Sequence, residues 1–163
     1  ALRPRDVAGG FLDLNGAARV DEDEYRRQTE RRRPKAGDII YSRELSFGWA
    51  VIVPEHPQIC LSQGMVSMRP SAIIRAEYLK RLLNSPLGRR QAEGSALGAA
   101  HAHVNLKDIR RFTFPIPPAG IQDVLLQAHI RYMALCDTLE AALRRSADRA
   151  QKLVGAVVEG VVG

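Results

Sequence analysis

Three side chains that could contact DNA bases follow the first clear strand pattern of the chain. Arg43, Glu44 and Ser46 stand between the β-branched and aromatic runs Ile39–Ser42 and Trp49–Val53, so they are predicted to lie on a loop that joins two strands. A guanidinium can donate to both O6 and N7 of guanine, and a carboxylate can accept from the amino group of cytosine. The alternative is an ion pair between Arg43 and Glu44 on the domain surface, and the sequence leaves both open.

Other basic residues are better suited to phosphates than to bases. Arg89 and Arg90 fall on a helix predicted to start at Pro86 and to run through Glu93. Contacts to phosphate fix a protein on DNA without reading its sequence. A denser basic cluster near Pro34 could also contact phosphates; it comprises Arg26, Arg27, Arg31, Arg32, Arg33 and Lys35. The alternative is that these residues form a solvated helix face.

Two histidines and an asparagine follow a stretch of small residues. Gly94–Ala100 is rich in Gly and Ala, which predicts a surface loop, and His101 and His103 could reach bases from its end. Asn105 has two possible roles, because Asn is also favoured as the N-cap of a helix, here a short one through Arg110. Loops and helix ends therefore supply the candidate base contacts.

The motifs of a nucleic-acid enzyme are missing from the sequence. Asn84-Ser85-Pro86-Leu87 is a poor match to the Asn/Asp-Pro-Pro-aromatic loop of amino-methyltransferases, and there is no Gly-x-x-x-x-Gly-Lys-Ser/Thr loop for ATP. His101 and His103 could be combined with Cys60 or Cys136, but no pair has the spacing of a zinc finger. The sequence predicts a chain without catalytic residues or a metal.

The positive charge is confined to the first part of the chain. Residues 1–118 carry 19 Lys and Arg against 13 Asp and Glu, whereas residues 119–163 carry five of each, and the net charge is +6. A basic surface gains affinity for phosphates by releasing counterions, although solubility alone can explain a modest charge. Two distant cysteines without a secretory leader, and no apolar run of about 20 residues, predict a cytoplasmic protein.

Short elements of both kinds predict an α/β (α+β) domain over residues 1–118. A short helix spans the acidic run that starts at Asp21 and the basic run that ends at Arg33. Further helices are predicted over Ser71–Asn84 and Pro86–Glu93. The remaining predicted strands are Ile59–Ser62 paired with Met65–Met68, and Phe112–Ile116.

One long helix is predicted over residues 119–163, after the proline run at Pro115, Pro117 and Pro118. Its apolar residues recur every three or four positions, with one four-residue stutter at Leu143 that would straighten a coiled coil. The alternative is a helix that folds back on the core of its own domain. The predicted partner or spacer surface comprises Gln122, Leu125, Tyr132, Leu135, Leu139, Leu143 and Val154.

Three stretches resemble the specificity subunit of type I restriction and modification enzymes. Residues 34–43, Pro-Lys-Ala-Gly-Asp-Ile-Ile-Tyr-Ser-Arg, are similar to its Gly-Asp-aliphatic strand entry. The close of a target recognition domain and the opening of its spacer helix are resembled by Asn105–Ile109, the run Phe114–Pro118 and Gln122. The end of the spacer is resembled by residues 152–160. The sequence departs from the family at Gly120 and Ile121, where acidic residues are usual, and in the opening strand region that it lacks.

The resemblance implies a non-catalytic DNA specificity subunit that holds one recognition unit where the full subunit has two. It is expected to bind double-stranded DNA, methyltransferase subunits, a restriction and translocase subunit, and a second recognition unit or a second copy through the long helix. S-adenosylmethionine, ATP and Mg²⁺ are then expected on the partner subunits. Two other classes stay open from the residues alone: a small DNA-modifying or DNA-cleaving enzyme, and a coiled-coil scaffold that does not bind DNA.

Overall fold

A computed structural model describes residues 1–44, 48–55, 58–96 and 103–162, with side chains omitted at 96 and 156–162. The chain divides into two compact units, Ala1–Gln122 and Asp123–Gly163. The first is a mixed α/β unit around a small antiparallel sheet, and a long C-terminal helix follows, which confirms the predicted fold class. The boundary predicted at residue 118 stays a prediction, because compactness alone does not test which segment folds by itself.

The described elements are short until the last helix. They are a 3-10 helix Pro4–Gly10, α1 Glu22–Thr29, β1 Ile39–Ser42, β2 Ala50–Ile52, β3 Met65–Met68, α2 Ala76–Asn84, α3 Pro86–Ala96, α4 Leu106–Ile109 and α5 Ala119–Val162. The Asp21 side chain accepts a hydrogen bond from Glu24 N and so caps α1.

Strand β1 lies at the centre of the sheet and is buried on both faces. It pairs antiparallel with β2 and with β3, with Ile40 opposite Val51 on one side and Ser67 on the other. Because side chains alternate along a strand, Ile40 packs into a core cluster with Leu2, while Ile39 and Tyr41 belong to a second cluster on the opposite face. The sheet is therefore covered on both faces.

Two strand predictions, residues 59–62 and 112–116, are wrong. In both cases the backbone hydrogen bonds or bridges form with residues far away in the sequence. Residues 59–62 do not pair with β3; Leu61 instead makes an isolated parallel bridge with Leu2, and β3 pairs with β1. Residues 112–116 form no strand. There Thr113 N donates to Gln91 Oε1 at 2.8 Å and Gln91 Nε2 donates to Thr113 O at 3.2 Å, so a side-chain amide takes the place of a neighbouring strand.

Helix α3 continues through Ala96, three residues beyond its predicted end at Glu93. Gly94 and its neighbours are therefore helical rather than part of a loop, and the rest of the predicted loop lies outside the described residues. No helix among the described residues is long and apolar enough to cross a membrane.

An ion pair between the buried Asp38 and the half-exposed Arg69 fixes the entry to β1. Gly37 takes a positive φ of 80°, and the Asp38 carboxylate accepts from Lys35 N at 3.0 Å and from two nitrogens of Arg69 at 2.7 Å each. Burial by itself would raise the pKa of Asp38, but the hydrogen bonds from Arg69 and Lys35 and the charge of Arg69 outweigh it, so the pKa lies below 3.8. The Gly-Asp pair is thus a structural device for turning the chain into the sheet.

Candidate nucleic-acid interface

Arg43 holds two distant segments together at the end of β1. Its backbone N donates to Gly64 O at 2.7 Å and its backbone O accepts from Val104 N at 2.9 Å. Its side chain reaches the same segment, because Nε donates to Val104 O at 2.8 Å and Nη2 lies 2.9 Å from His103 Nε2. Arg43 is not paired with Glu44, so the predicted surface ion pair between them does not explain its position.

Glu44 lies opposite His103 in an isolated antiparallel bridge. Arg43 Nη2 and Asn105 Oδ1 both lie within hydrogen-bonding distance of His103 Nε2, and His103 Nδ1 lies 3.7 Å from Glu44 Oε1. Gly64 makes room for this pair, since a Cβ there would lie 2.9 Å from Glu44 Cδ. We call Arg43, Glu44, His103 and Val104 the clasp.

Asn105 continues from the clasp into α4. It occupies the N-cap position of α4, yet its side chain makes no capping bond, and the carboxamide lies 3.3 Å from His103 Nε2. Its backbone O accepts from Asp108 N and Ile109 N. The structure therefore brings together four of the predicted site residues: Arg43, Glu44, His103 and Asn105. Ser46 and His101 lie outside the described residues.

Arg89 and Arg90 differ in their surroundings although they are adjacent on α3. The Arg89 guanidinium lies 4.1 Å from the centroid of the Trp49 ring and 3.8 Å from Glu93 Oε1. Arg89 is therefore packed into the base of the β1–β2 loop through a cation–π contact. Arg90 is exposed and makes no ion pair with the part of the chain that the structure describes. Of the two, Arg90 is the better placed for a phosphate.

The basic cluster around Pro34 is only partly engaged within the fold. Arg26 lies 2.6 Å from Glu22, Arg27 pairs with Glu24, and Arg33 stacks 5.4 Å from the Tyr25 ring centroid. The other three members are exposed: Arg31, Arg32 and Lys35.

Gln122 lies in the first unit, where it is fully buried, so the structure removes it from the predicted partner surface. Its Oε1 accepts from Arg75 N at 2.8 Å. Its Nε2 donates to Ile73 O and to Pro117 O, both at 2.8 Å. Gln122 thus joins the proline run to the start of α2. In the sequence, only the position of a Gln just after the prolines points to this role.

Asn84 plays a comparable part at the sheet edge. Its side chain accepts from Ala50 N at 2.7 Å and donates to Ala50 O at 2.9 Å, which satisfies the backbone of edge strand β2. In the sequence, Asn84 ends a predicted helix and opens a poor match to the methyltransferase loop; its contacts with the Ala50 backbone make it structural.

The other six residues of the predicted partner surface lie on α5 and are exposed. They are Leu125, Tyr132, Leu135, Leu139, Leu143 and Val154, with exposed fractions between 45% and 70%. Ala128, Arg131, Tyr132, Ala134, Leu135 and Thr138 line a shallow groove along this helix. Within the described ranges no group of three or more His, Cys, Asp or Glu side chains could hold a metal ion.

A family model, the type I restriction modification DNA specificity domain, matches residues 13–145. The chain belongs to this family. It is also 23% identical over 158 residues to the EcoBI type I restriction enzyme specificity subunit of Escherichia coli. The aligned region is 96% of this chain and 33% of that protein, so the chain spans about one third of its relative's length.

Membership confirms the resemblance drawn from the sequence: the chain carries a type I restriction modification DNA specificity domain.

Proposed function

We propose that this chain reads one half of a split DNA sequence and delivers that sequence to separate methyltransferase and restriction subunits. The observation that carries the proposal is the family match, which covers most of the α/β unit and the first part of α5. The excess of basic residues over residues 1–118 supports it, because a protein that binds duplex DNA must neutralise phosphates.

The proposed DNA surface is made of loops around the clasp and of exposed basic side chains near them. Ser46 and His101 are proposed to contact bases, and Glu44 and Asn105 are further candidates at the edge of the same cluster. Arg90 is proposed to contact a phosphate, since it is exposed and makes no ion pair with a described residue. Arg89, stacked on Trp49, is proposed to support the loop from behind.

Helix α5 is proposed to join this recognition unit to a second one, carried by the same longer protein or by a second copy. A helix of 44 residues would be about 66 Å long. Exposed leucines at Leu135, Leu139 and Leu143 are spaced by four, which suits packing against another helix. Residues Leu125, Tyr132 and Val154 extend the same proposed surface.

The partner subunits are proposed to supply the chemistry. S-adenosylmethionine would bind to the methyltransferase subunits, and ATP and Mg²⁺ to the restriction and translocase subunit. We place the assembly in the cytoplasm, because methylation and restriction act on DNA inside the cell.

The test is binding of the assembled protein to duplex DNA as salt is raised. If about five phosphates are neutralised, log K should fall with log salt with a slope near −4 to −5. Specific DNA should remain preferred over a scrambled duplex at every salt concentration. A flat salt dependence, together with equal binding of both duplexes, would refute the proposal.

A second experiment tests the spacer. Insertion of four helix-forming residues between Gln122 and Asp123 lengthens the helix by about 6 Å. Because each base pair of duplex occupies about 3.4 Å, the unspecified gap in the target should widen by about one or two base pairs. The bases of both half-sites should stay the same. A changed half-site with an unchanged gap would contradict the assignment of α5 as spacer.

A further inference from the structure

Many basic side chains of the α/β unit are already neutralised by an acid of the same unit. They are Arg3, Arg5, Arg26, Arg27, Arg69, Lys80, Arg81 and Arg89. Lys107, Arg110 and Arg111 differ, because all three are exposed and none makes an ion pair with the part of the chain that the structure describes. Asp108, the acid of the same run, pairs with none of them. These exposed cations are available to an anion from outside the protein.

The backbone that carries Arg110 and Arg111 is fixed to the fold. Arg110 N and Arg111 N donate to carbonyls of α4 at 3.2 and 2.9 Å. The next residue, Phe112, packs against the core cluster that contains Ile39 and Tyr41, and its ring lies edge-on to the Tyr41 ring with the centroids 6.4 Å apart. The two guanidinium groups therefore extend from an ordered backbone, which lowers the entropy cost of binding a ligand.

Gln91 ties this segment to α3. Its Oε1 accepts from Thr113 N at 2.8 Å and its Nε2 donates to Thr113 O at 3.2 Å. Arg90 is the residue before Gln91, and it is exposed without an ion pair to any described residue. Arg111 lies two residues before Thr113. The two bonds of Gln91 thus bring cations of two separate elements close together.

We propose that Arg110 and Arg111, together with Lys107 and Arg90, form a surface that binds phosphates of the DNA duplex next to Asn105. Guanidinium groups match phosphate oxygens in geometry and charge, and phosphate contacts fix the register of a protein on DNA. Because α4 starts directly after Asn105, a backbone held at this surface would set which base pair that candidate base contact meets. This inference rests on the proposed DNA recognition, and it favours DNA over an acidic protein because the family match covers this segment.

The test measures binding of the full-length protein, assembled with its partner subunits, to specific duplex DNA as salt is raised. The double variant Arg110→Gln with Arg111→Gln should reduce the slope of log K against log salt by about 2, because each phosphate contact contributes about 0.9. Base preference on a library randomised across the target should stay the same. An unchanged slope, or a changed preference at the same slope, would overturn the phosphate surface.

The matched control removes two cations that already have an acidic partner. Lys80→Gln with Arg81→Gln takes the same charge from α2, where both side chains lie near Glu77. This variant should leave the slope unchanged. An equal change in slope in both double variants would show that only the net charge matters, and would refute a localised surface. Thermal melting of each variant confirms that the protein is folded.

Gln91→Leu tests the positioning role of Gln91 without a change in charge. It removes both hydrogen bonds to Thr113. In the unchanged background it should weaken DNA binding several-fold, and in the double arginine variant it should have no further effect, since it acts through the placement of those side chains. Equal weakening in both backgrounds would contradict this role for Gln91.

Analytical ultracentrifugation of the assembly without DNA distinguishes DNA from a protein partner. The double arginine variant should sediment as the unchanged assembly does. An assembly that dissociates would show that Arg110 and Arg111 bind an acidic face of another subunit, and would overturn the proposal. If the unchanged protein itself lacks salt-dependent DNA binding, the proposed function fails; a steep slope shared by the unchanged protein and the variant removes only this surface.

Discussion

Replacement of Gln122 by Met should destabilise the α/β unit more than its conservative size suggests. The substitution keeps the side-chain volume but leaves three backbone groups without their partner: Arg75 N, Ile73 O and Pro117 O, each bonded at 2.8 Å. Loss of one partner of a buried hydrogen bond costs about 1 kcal/mol or more. Three such losses amount to about 3 kcal/mol, a large share of the stability of a domain of this size.

The measurement is denaturant unfolding of the full chain, followed by tryptophan fluorescence, since the single Trp49 lies in this unit. Thermal unfolding should show a fall in Tm of about 10 °C. Gln127→Met is the matched control: Gln127 is exposed on the same helix, and its replacement should change the stability by less than about 0.5 kcal/mol.

Gln122→Glu separates hydrogen bonding from packing. At neutral pH a carboxylate can still accept from Arg75 N, but it cannot donate to Ile73 O or Pro117 O, and its charge would be buried. This variant should be less stable than Gln122→Met at pH 7 and should recover part of the loss as the pH falls and the carboxyl gains a proton. If both variants were as stable as the control, the amide would not be what joins the proline run to α2.

Three further predictions concern the ion pair, the helix and the basic surface. The pKa of Asp38 is lowered in the folded state, so the folding stability that its carboxylate contributes is fully present above pH 3.8. This contribution is lost as the pH falls through the lower folded pKa. Acid unfolding of Asp38→Asn should therefore lack this part of the pH dependence. Replacement of Leu135 and Leu139 by Glu should dissociate any assembly that forms through α5, as measured by analytical ultracentrifugation. The control variant Glu140→Gln, on the same helix, should leave the assembly intact. An unchanged sedimentation coefficient in the leucine variant would count against α5 as the association surface. Arg90→Ala should reduce the salt slope of DNA binding by about 1 without a change in base preference, and a change in preference would instead make Arg90 a base contact.

The sequence predicted the elements whose signals are local. The run Ile39–Ser42 is a strand with the predicted bounds, α3 begins at Pro86 as expected, and the three- and four-residue spacing after Pro118 marks a long helix. These features depend on neighbouring residues: alternation, a proline at a helix start, and periodic apolar positions.

Features that depend on distant partners were predicted less well. Phe112–Ile116 has strand-forming residues, but its backbone is satisfied by Gln91, which no local pattern indicates. The loop position and chemistry of Arg43 predict a base contact, which stays a prediction, and no local pattern indicates its contact with His103, 60 residues away. The resemblance to the family places Gln122 at the opening of the spacer helix, but no local pattern indicates the three hydrogen bonds that make its burial favourable.

The central claim is that this chain determines which DNA sequence its enzyme modifies. The most direct measurement is a genome-wide map of methylated adenines in cells that carry the partner subunits, with and without the gene for this protein, and with the Arg43→Ala variant. We expect a split motif that is methylated only when the protein is present. When Arg43 is replaced, one half-site should become degenerate, with the other half-site and the gap unchanged. An identical set of methylated sites with and without the protein would contradict the claim.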